Sequence, residues 1–275
     1  MILLSIIIPV YNNVNYIGKA IDNYLFLASD KTELVIMDGG STDGTVEIIQ
    51  SYAKNHPEIR WNSEKDDGQS DAMNKGIHIS RGQFISFLNV DDYYSSGTFS
   101  QVIKILENDN SINFLVGDCN VWDENGDLIY INKPSKLDKW HLLSGYHFPV
   151  NPTSYFYRKS LHNDIGLYNE LNHYNMDLEF LIQVRMNYKF HYSPQIWGNF
   201  RMLPNTKTVS EMNSNQLEKR KQDLLKHYFV KSSFYIRARI EFYKFYKSFY
   251  PKLNYELRRI KDKFKYEIKK INHRR

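Results

Sequence analysis

The feature that most constrains this chain is a rhythm: short apolar runs, several ending in polar or acidic residues, separated by stretches with helical spacing. Leu3 to Pro9 reads as a continuous apolar run, as in a strand covered on both faces. A helix follows around Tyr16 to Phe26, with Ile17, Ile21, Tyr24 and Leu25 on one side. Leu34 to Met37 is a second strand, ending at Asp38, and the turn Gly39 to Gly44 leads into a helix carrying Val46, Ile49 and Ala53. Ile59 to Asn62 reads as a third strand, and Met73 and Ile77 mark a short helix after Asp66-Asp67-Gly68. Phe84 to Leu88 is a strand ending at Asn89-Val90-Asp91-Asp92, followed by a helix over Phe99 to Leu106 and a strand over Asn113 to Val116. This alternation predicts an α/β fold with a mostly parallel sheet and flanking helices. Beyond residue 118 the pattern loosens. Asn125-Gly126 predicts a hairpin over Trp122 to Ile131, Ser154 to Tyr157 a strand, and Met176 to Tyr188 a helix.

Composition narrows the class. Of 275 residues, 42% are hydrophobic and 24% charged, which is too apolar for a disordered chain. No apolar run reaches the roughly 18 residues of a membrane-spanning helix. The apolar start lacks a basic flank and a small-residue cleavage site, so it is expected to be a first strand rather than a signal peptide. Cys119 stands alone, which rules out an intramolecular disulfide framework and suits a reducing compartment.

The net charge of +5 hides an asymmetry. From Leu217 to Arg275 there are 19 Lys/Arg and 6 Asp/Glu, whereas Met1 to Gln216 holds 17 basic and 25 acidic residues. The expected organisation is therefore a body over 1–215, divided into halves at 1–118 and 119–215, and a basic helical tail over 216–275. Ten of the 23 residues from Tyr228 to Tyr250 are Phe or Tyr. Beyond Pro251, Leu253, Leu257, Ile260, Phe264, Ile268 and Ile271 form one helical face among many cations. Such a tail fits peripheral contact with a membrane, the favoured reading, or packing and homo-oligomer contacts. The acidic body argues against nucleic acid.

In open α/β sheets ligands bind beyond the carboxyl ends of the strands. Tyr11-Asn12, Asp38 and Asp91-Asp92 all fall at such ends. Adjacent carboxylates repel unless a cation or donors compensate, and oxygen ligands suit Mg²⁺ or Mn²⁺ bridging to phosphates. On the pair alone, helix capping is the stronger reading. The order of motifs reverses that. Ser5 to Asn12, Val35 to Thr45, Asp66 to Ile77 and Asn89 to Asp92 follow one another over 92 residues. Together they resemble the family 2 glycosyltransferases, nucleotide-sugar-dependent enzymes of the GT-A fold, and the likeness continues more faintly to about residue 210.

The resemblance implies a cytoplasmic enzyme, peripheral on the inner face of the cell membrane. It would move a hexose from a nucleotide sugar, UDP-linked in many relatives, with inversion, to a glycan or polyprenyl-diphosphate-linked acceptor in surface polysaccharide synthesis. Pro9, Tyr11 and Asn12 would border the nucleotide, with the Tyr11 ring against the base, and Asp38 would accept a hydrogen bond from it. Asp66 and Lys75 would lie along the diphosphate or ribose edge. Asp92 matches the position that holds Mn²⁺ or Mg²⁺, and Asp91 a ribose or supporting position. Asp177 matches the base of inverting members, with Glu179 its local competitor. Trp197 to Asn205 resembles the segment after the last core strand, where relatives often carry a His near the Arg. Met202 and Leu203 stand there instead, so water or the diphosphate would complete the ion's shell. His147 to Thr153 would line the acceptor pocket, His147 and His191 reading as ordinary partly buried histidines and Asp43 as a helix opener. The competing functions are a sugar nucleotidyltransferase, disfavoured by a glycine-free loop after the first strand, and a non-catalytic membrane-associated partner of a polysaccharide assembly complex.

Overall fold

A computed structural model describes residues 1–145, 148–172, 174–204 and 215–249. The amphipathic stretch from Leu253 to Ile271, His147 and His173 lie outside the described residues. The body is α/β, as its sequence rhythm implies. Strands β1 (Leu4–Val10), β2 (Thr32–Asp38) and β3 (Ile59–Ser63) alternate with helices α1 (Val14–Leu27) and α2 (Thr45–Ala53). Then come α3 (Gln69–Ile79), β4 (Phe84–Phe87), the two-residue β5 (Tyr93–Tyr94) and α4 (Thr98–Asn108). The second half runs through β6 (Phe114–Trp122), β7 (Leu128–Asn132), α5 (Lys139–Leu143), β8 (Tyr155–Arg158) and α6 (Leu161–Ile165). It ends with α7 (Met176–Asn187), β9 (His191–Arg201) and α8 (Asn215–Lys231), before a last described helix, α9, over 234–249.

The strands join one sheet in the order β3-β2-β1-β4-β8-β6-β9-β5, with β7 paired to β6. β3, β2, β1 and β4 are mutually parallel. Every residue of β1 and β2 is buried, because helices cover both faces. Strand alternation sorts their side chains. Leu4, Ile6, Ile8, Leu34 and Ile36 pack on the α1, α2 and α4 side, and Ile7, Val35 and Met37 on the α3 and α7 side. Each such side chain stabilises the fold by about 1.5–3 kcal/mol through burial.

Pro9 occupies a place where its missing N–H costs nothing. Ile7 accepts from Leu88 N at 2.9 Å, on the β4 side. Two residues on, Pro9 faces the same side with no donor, just where β4 has ended. The ladder stops there and a crevice opens beyond β1.

The chain then crosses from the centre of the sheet to its far edge. β5 pairs antiparallel with β9, Tyr93 opposite Asn199 and Tyr94 opposite Gly198. β9 itself departs from the sequence expectation. Trp197 to Arg201 belong to the last core strand instead of following it. The hairpin at Asn125-Gly126 is present between β6 and β7, as expected.

Helices α8 and α9 rest on the body. Leu225 and Ile240 are buried against Leu143 of α5 and Leu178 and Ile182 of α7, with Trp140, Tyr228 and Ile236 around them.

Candidate functional site

The carboxyl ends of β1 and β2 are tied together by their own loops. Asn12 adopts a left-handed backbone (φ 49°), which Asn tolerates better than most residues. Its N–H donates to Ser41 Oγ at 2.7 Å, and its Oδ1 accepts from Thr42 N at 2.9 Å. Asp43 accepts from Val14 N at 3.0 Å and from Thr45 N at 3.1 Å, so one carboxylate serves the first turns of two helices. The Thr45 hydroxyl first, and these backbone donors after it, hold its carboxyl below the usual range. With this lacing in place, the Tyr11 ring projects into solvent, 59% exposed.

Asp38 is buried, and its Oδ2 accepts from Gly40 N at 3.0 Å, Ser41 N at 2.9 Å and Ser63 Oγ at 2.7 Å. Ser41 Oγ also donates to its Oδ1. The carboxylate thus shapes the Gly40-Ser41 loop to which Asn12 is tied. Asp66 lies directly over Gly39, where a Cβ would meet its Oδ2 at 2.6 Å and displace the carboxylate. Its Oδ1 accepts from Gly68 N at 3.0 Å, yet burial pushes its carboxyl up, helped by Asp71. Lys75 pairs with Asp71 at 3.0 Å and Glu64 at 3.1 Å.

Asp91 and Asp92 sit on the link from β4 to β5 and differ sharply. Asp92 is 3% exposed. Its Oδ2 accepts from Asn151 Nδ2 at 2.7 Å and Asn89 Nδ2 at 3.1 Å, and its Oδ1 from Arg201 N at 3.0 Å. Burial, with the neighbouring Asp91 charge, still pushes its carboxyl up to about 7. Asp91 is half-buried and also raised, by burial first, against the pull of the Arg201 guanidinium. Arg201 Nε donates to the Asp91 carbonyl, and its guanidinium lies 5.3 Å from the centre of the Tyr16 ring.

The donor set fits a hard divalent cation shared with a diphosphate. Two adjacent carboxylates offer oxygen alone, and their mutual repulsion is what a cation relieves. Asp91 is the more open of the pair, while Asp92 keeps one lone pair on Oδ1 once its three donors are counted. Among the described residues no cluster of three or more His, Cys, Asp or Glu could hold an ion alone. The remaining ligands would therefore come from substrate and water.

The other wall is the N-terminus of α7. Ser70 Oγ approaches Met176 Sδ at 2.9 Å, and Gln69 Nε2 donates to Asn89 Oδ1 at 3.2 Å. This chain of contacts brings α7 to the loops that carry Asp66 and Asp92. Asp177 is half-buried and accepts from Tyr155 OH at 3.4 Å. Glu179, its competitor, is instead engaged by Asn172 at 2.7 Å and Asn169 at 3.4 Å, pinning the loop before α7. His191 Nδ1 is buried with no hydrogen-bond partner among the described residues.

Asn89, Asn151 and Arg201 carry the Asp91-Asp92 link, and the sequence motifs that contain them assign none of them this role. Asn151 had one signal, its place in Pro149-Val150-Asn151-Pro152. Its Oδ1 accepts from Thr153 N at 3.0 Å, which frees the amide nitrogen for Asp92.

Comparison with known proteins gives the family and the fold. The family model described as Glycosyl transferase family 2 matches residues 5–166. An uncharacterized glycosyltransferase of Rickettsia felis is 27% identical over 221 residues, covering 77% of this chain and 36% of that protein. The chain thus spans about a third of that relative's length, and a smaller share of several others. Among solved structures, S. aureus TarS 1-349 in complex with UDP-GlcNAc has a TM-score of 0.63 at 19% identity, covering 76% of this chain and 61% of that one. The mannosyltransferase PcManGT of Pyrobaculum calidifontis, in complex with GDP-Man and Mn²⁺, has a TM-score of 0.54 at 18% identity, covering 71% and 56%.

Proposed function

Because this chain belongs to glycosyl transferase family 2, we propose that it transfers a hexose with inversion from a UDP-linked donor to a glycan or polyprenyl-diphosphate-linked acceptor, at the inner face of the cell membrane, in surface polysaccharide synthesis. The observation that carries the reading is the convergence of Tyr11, Asp38 and the Asp91-Asp92 pair at the carboxyl ends of β1, β2 and β4, with Asp177 opening the opposing wall. A UDP-sugar donor draws support from TarS, whose complex holds UDP-GlcNAc.

In this reading Tyr11 stacks on the base, and Pro9 and Asn12 shape the floor beneath it. Asp38 keeps the Gly40-Ser41 backbone in place and presents its edge to the base. Asp66 and Lys75 flank the ribose and diphosphate. Asp91 and Asp92 would hold Mn²⁺ or Mg²⁺, which supplies charge neutralisation to the departing diphosphate. Arg201 fixes the backbone of that pair and adds positive charge beside it.

Asp177 accepts the proton of the acceptor hydroxyl. The acceptor oxygen then forms its bond to the anomeric carbon from the face opposite the diphosphate, while the bond to phosphate oxygen breaks. One displacement of this kind turns an α-linked donor into a β-linked product.

The test is donor hydrolysis across UDP- and GDP-sugars with Mn²⁺, Mg²⁺ or EDTA, for wild type, Asp91→Asn, Asp92→Asn and Asp177→Asn. Release of one nucleotide that needs metal and either member of the pair supports the reading. An Asp177→Asn variant that binds nucleotide but does not transfer supports its role as base. Nucleotide that never binds would sink the proposal.

A further inference from the structure

Helix α9 is apolar on two opposite sides, and among the described residues only one of them is covered. Ile240, wholly buried, and the half-buried Ile236 and Tyr243 face the body, where Tyr243 meets Trp140 at 5.2 Å between ring centres. At 3.6 residues per turn, the opposite side carries Phe234, Ala238, Phe242, Phe245 and Phe249. The four phenylalanines are 79%, 70%, 63% and 52% exposed, and Phe245 and Phe249 stack at 5.7 Å. Isolated exposed apolar residues need no explanation, but four phenylalanines in one stripe do.

We propose that this stripe docks the protein onto an anionic lipid surface, with α9 lying in the plane of the interface. The flanks of the stripe favour lipid over other occupants. Tyr235 and Tyr246, 67% and 45% exposed, border one edge, where amphipathic rings suit the headgroup level. Glu241 and Ser248 border the other, with Arg237 and Lys244 next beyond them, long enough to carry charge to the headgroups while the phenylalanines enter the acyl boundary. Glu241, the helix's one acid, is paired with Lys244 at 3.2 Å. A second copy is a poorer occupant, since two such helices would bring like charges together, whereas anionic lipid neutralises them.

Docking through α9 would place the active site beside the bilayer. The covered side of α9 and helix α8 pack on Leu178 and Ile182 of α7, the helix whose first turn carries Asp177. This consequence for a lipid-linked acceptor rests on the glycosyl-transfer reading, while the docking rests on the helix itself.

Co-sedimentation of the full chain with phosphatidylcholine vesicles, with and without phosphatidylglycerol, tests it. Wild type should partition to the mixed vesicles and release as salt rises, and the pair Phe242→Ser with Phe245→Ser should cut the bound fraction about tenfold or more. Both side chains are exposed, so the fold should survive. Donor hydrolysis in vesicle-free buffer separates the two proposals: docking lost with hydrolysis intact isolates the stripe, and docking without hydrolysis in any variant leaves it standing. Vesicle binding unchanged by the pair, or no partition at all, would overturn the proposal. So would a vesicle-free dimer that the pair dissociates, which assigns the stripe to a second copy.

Discussion

The carboxylate of Asp92 shows how much of this site is decided by single atoms. A buried ionised group is costly unless its lone pairs are matched, and Asn151 supplies the shortest of its three contacts. Asn151→Ala should therefore destabilise the fold by about 1–3 kcal/mol and lower donor turnover, because the β4–β5 link loses its tie to the turn before β8. Denaturant titration and donor hydrolysis on the same protein check this, and a variant equal to wild type in both would refute it. Cys119, wholly buried, makes a second case, since burial pushes its thiol up from 9.0 to about 12. A raised folded-state value means its contribution to stability is complete below pH 9 and is lost as pH climbs toward about 12. Iodoacetamide should accordingly leave Cys119 unmodified in the native protein at neutral pH and alkylate it once denaturant is added.

At the scale of elements, legibility in the sequence followed burial. β1 and β2 are covered on both faces, so they had to be unbroken apolar runs, and they read as such. α1 and α4 each bury one side, which leaves a helical stripe. β9 gave no such signal, because His191–Arg201 includes Pro194 and begins on a half-exposed stretch, and β5 is only two residues long. The residues behind Asp92 were hidden for a related reason. Asn89, Asn151 and Arg201 come from three segments far apart in sequence, and a backbone N–H donor leaves no trace in residue type. Gly198 is the meeting point of these segments. A Cβ there would lie 2.3 Å from Thr153 Oγ1 and 3.0 Å from the Thr153 backbone. Gly198→Ala should push the 152–154 turn away from β9 and costs about 1–3 kcal/mol in overpacking, with Asn151 displaced from Asp92. The expected result is a lower melting temperature together with reduced donor hydrolysis, and a variant that loses stability alone would separate the turn from the chemistry.

For the whole molecule, the candidate donor crevice is built from loops on three parallel strands, laced together by their own hydrogen bonds and, at the Asp91-Asp92 link, by Asn151 and Arg201. A nucleotide spanning Tyr11, Asp38 and the Asp91-Asp92 link would stabilise the native state by mass action. At a hundredfold excess over its dissociation constant this amounts to about 2.7 kcal/mol. In a body of this size that corresponds to a rise in melting temperature of roughly 5–10 °C. Because the paired carboxylates repel one another, the rise with UDP should be larger with Mn²⁺ or Mg²⁺ than with EDTA. Asp91→Asn should remove the difference between the two conditions while keeping the metal-independent part contributed by Tyr11 and Asp38. A shift with GDP instead of UDP would keep the crevice and reassign the base. A shift in neither, with the protein folded, would mean that these strand ends do not bind a nucleotide, and the convergence of acids there would need another explanation.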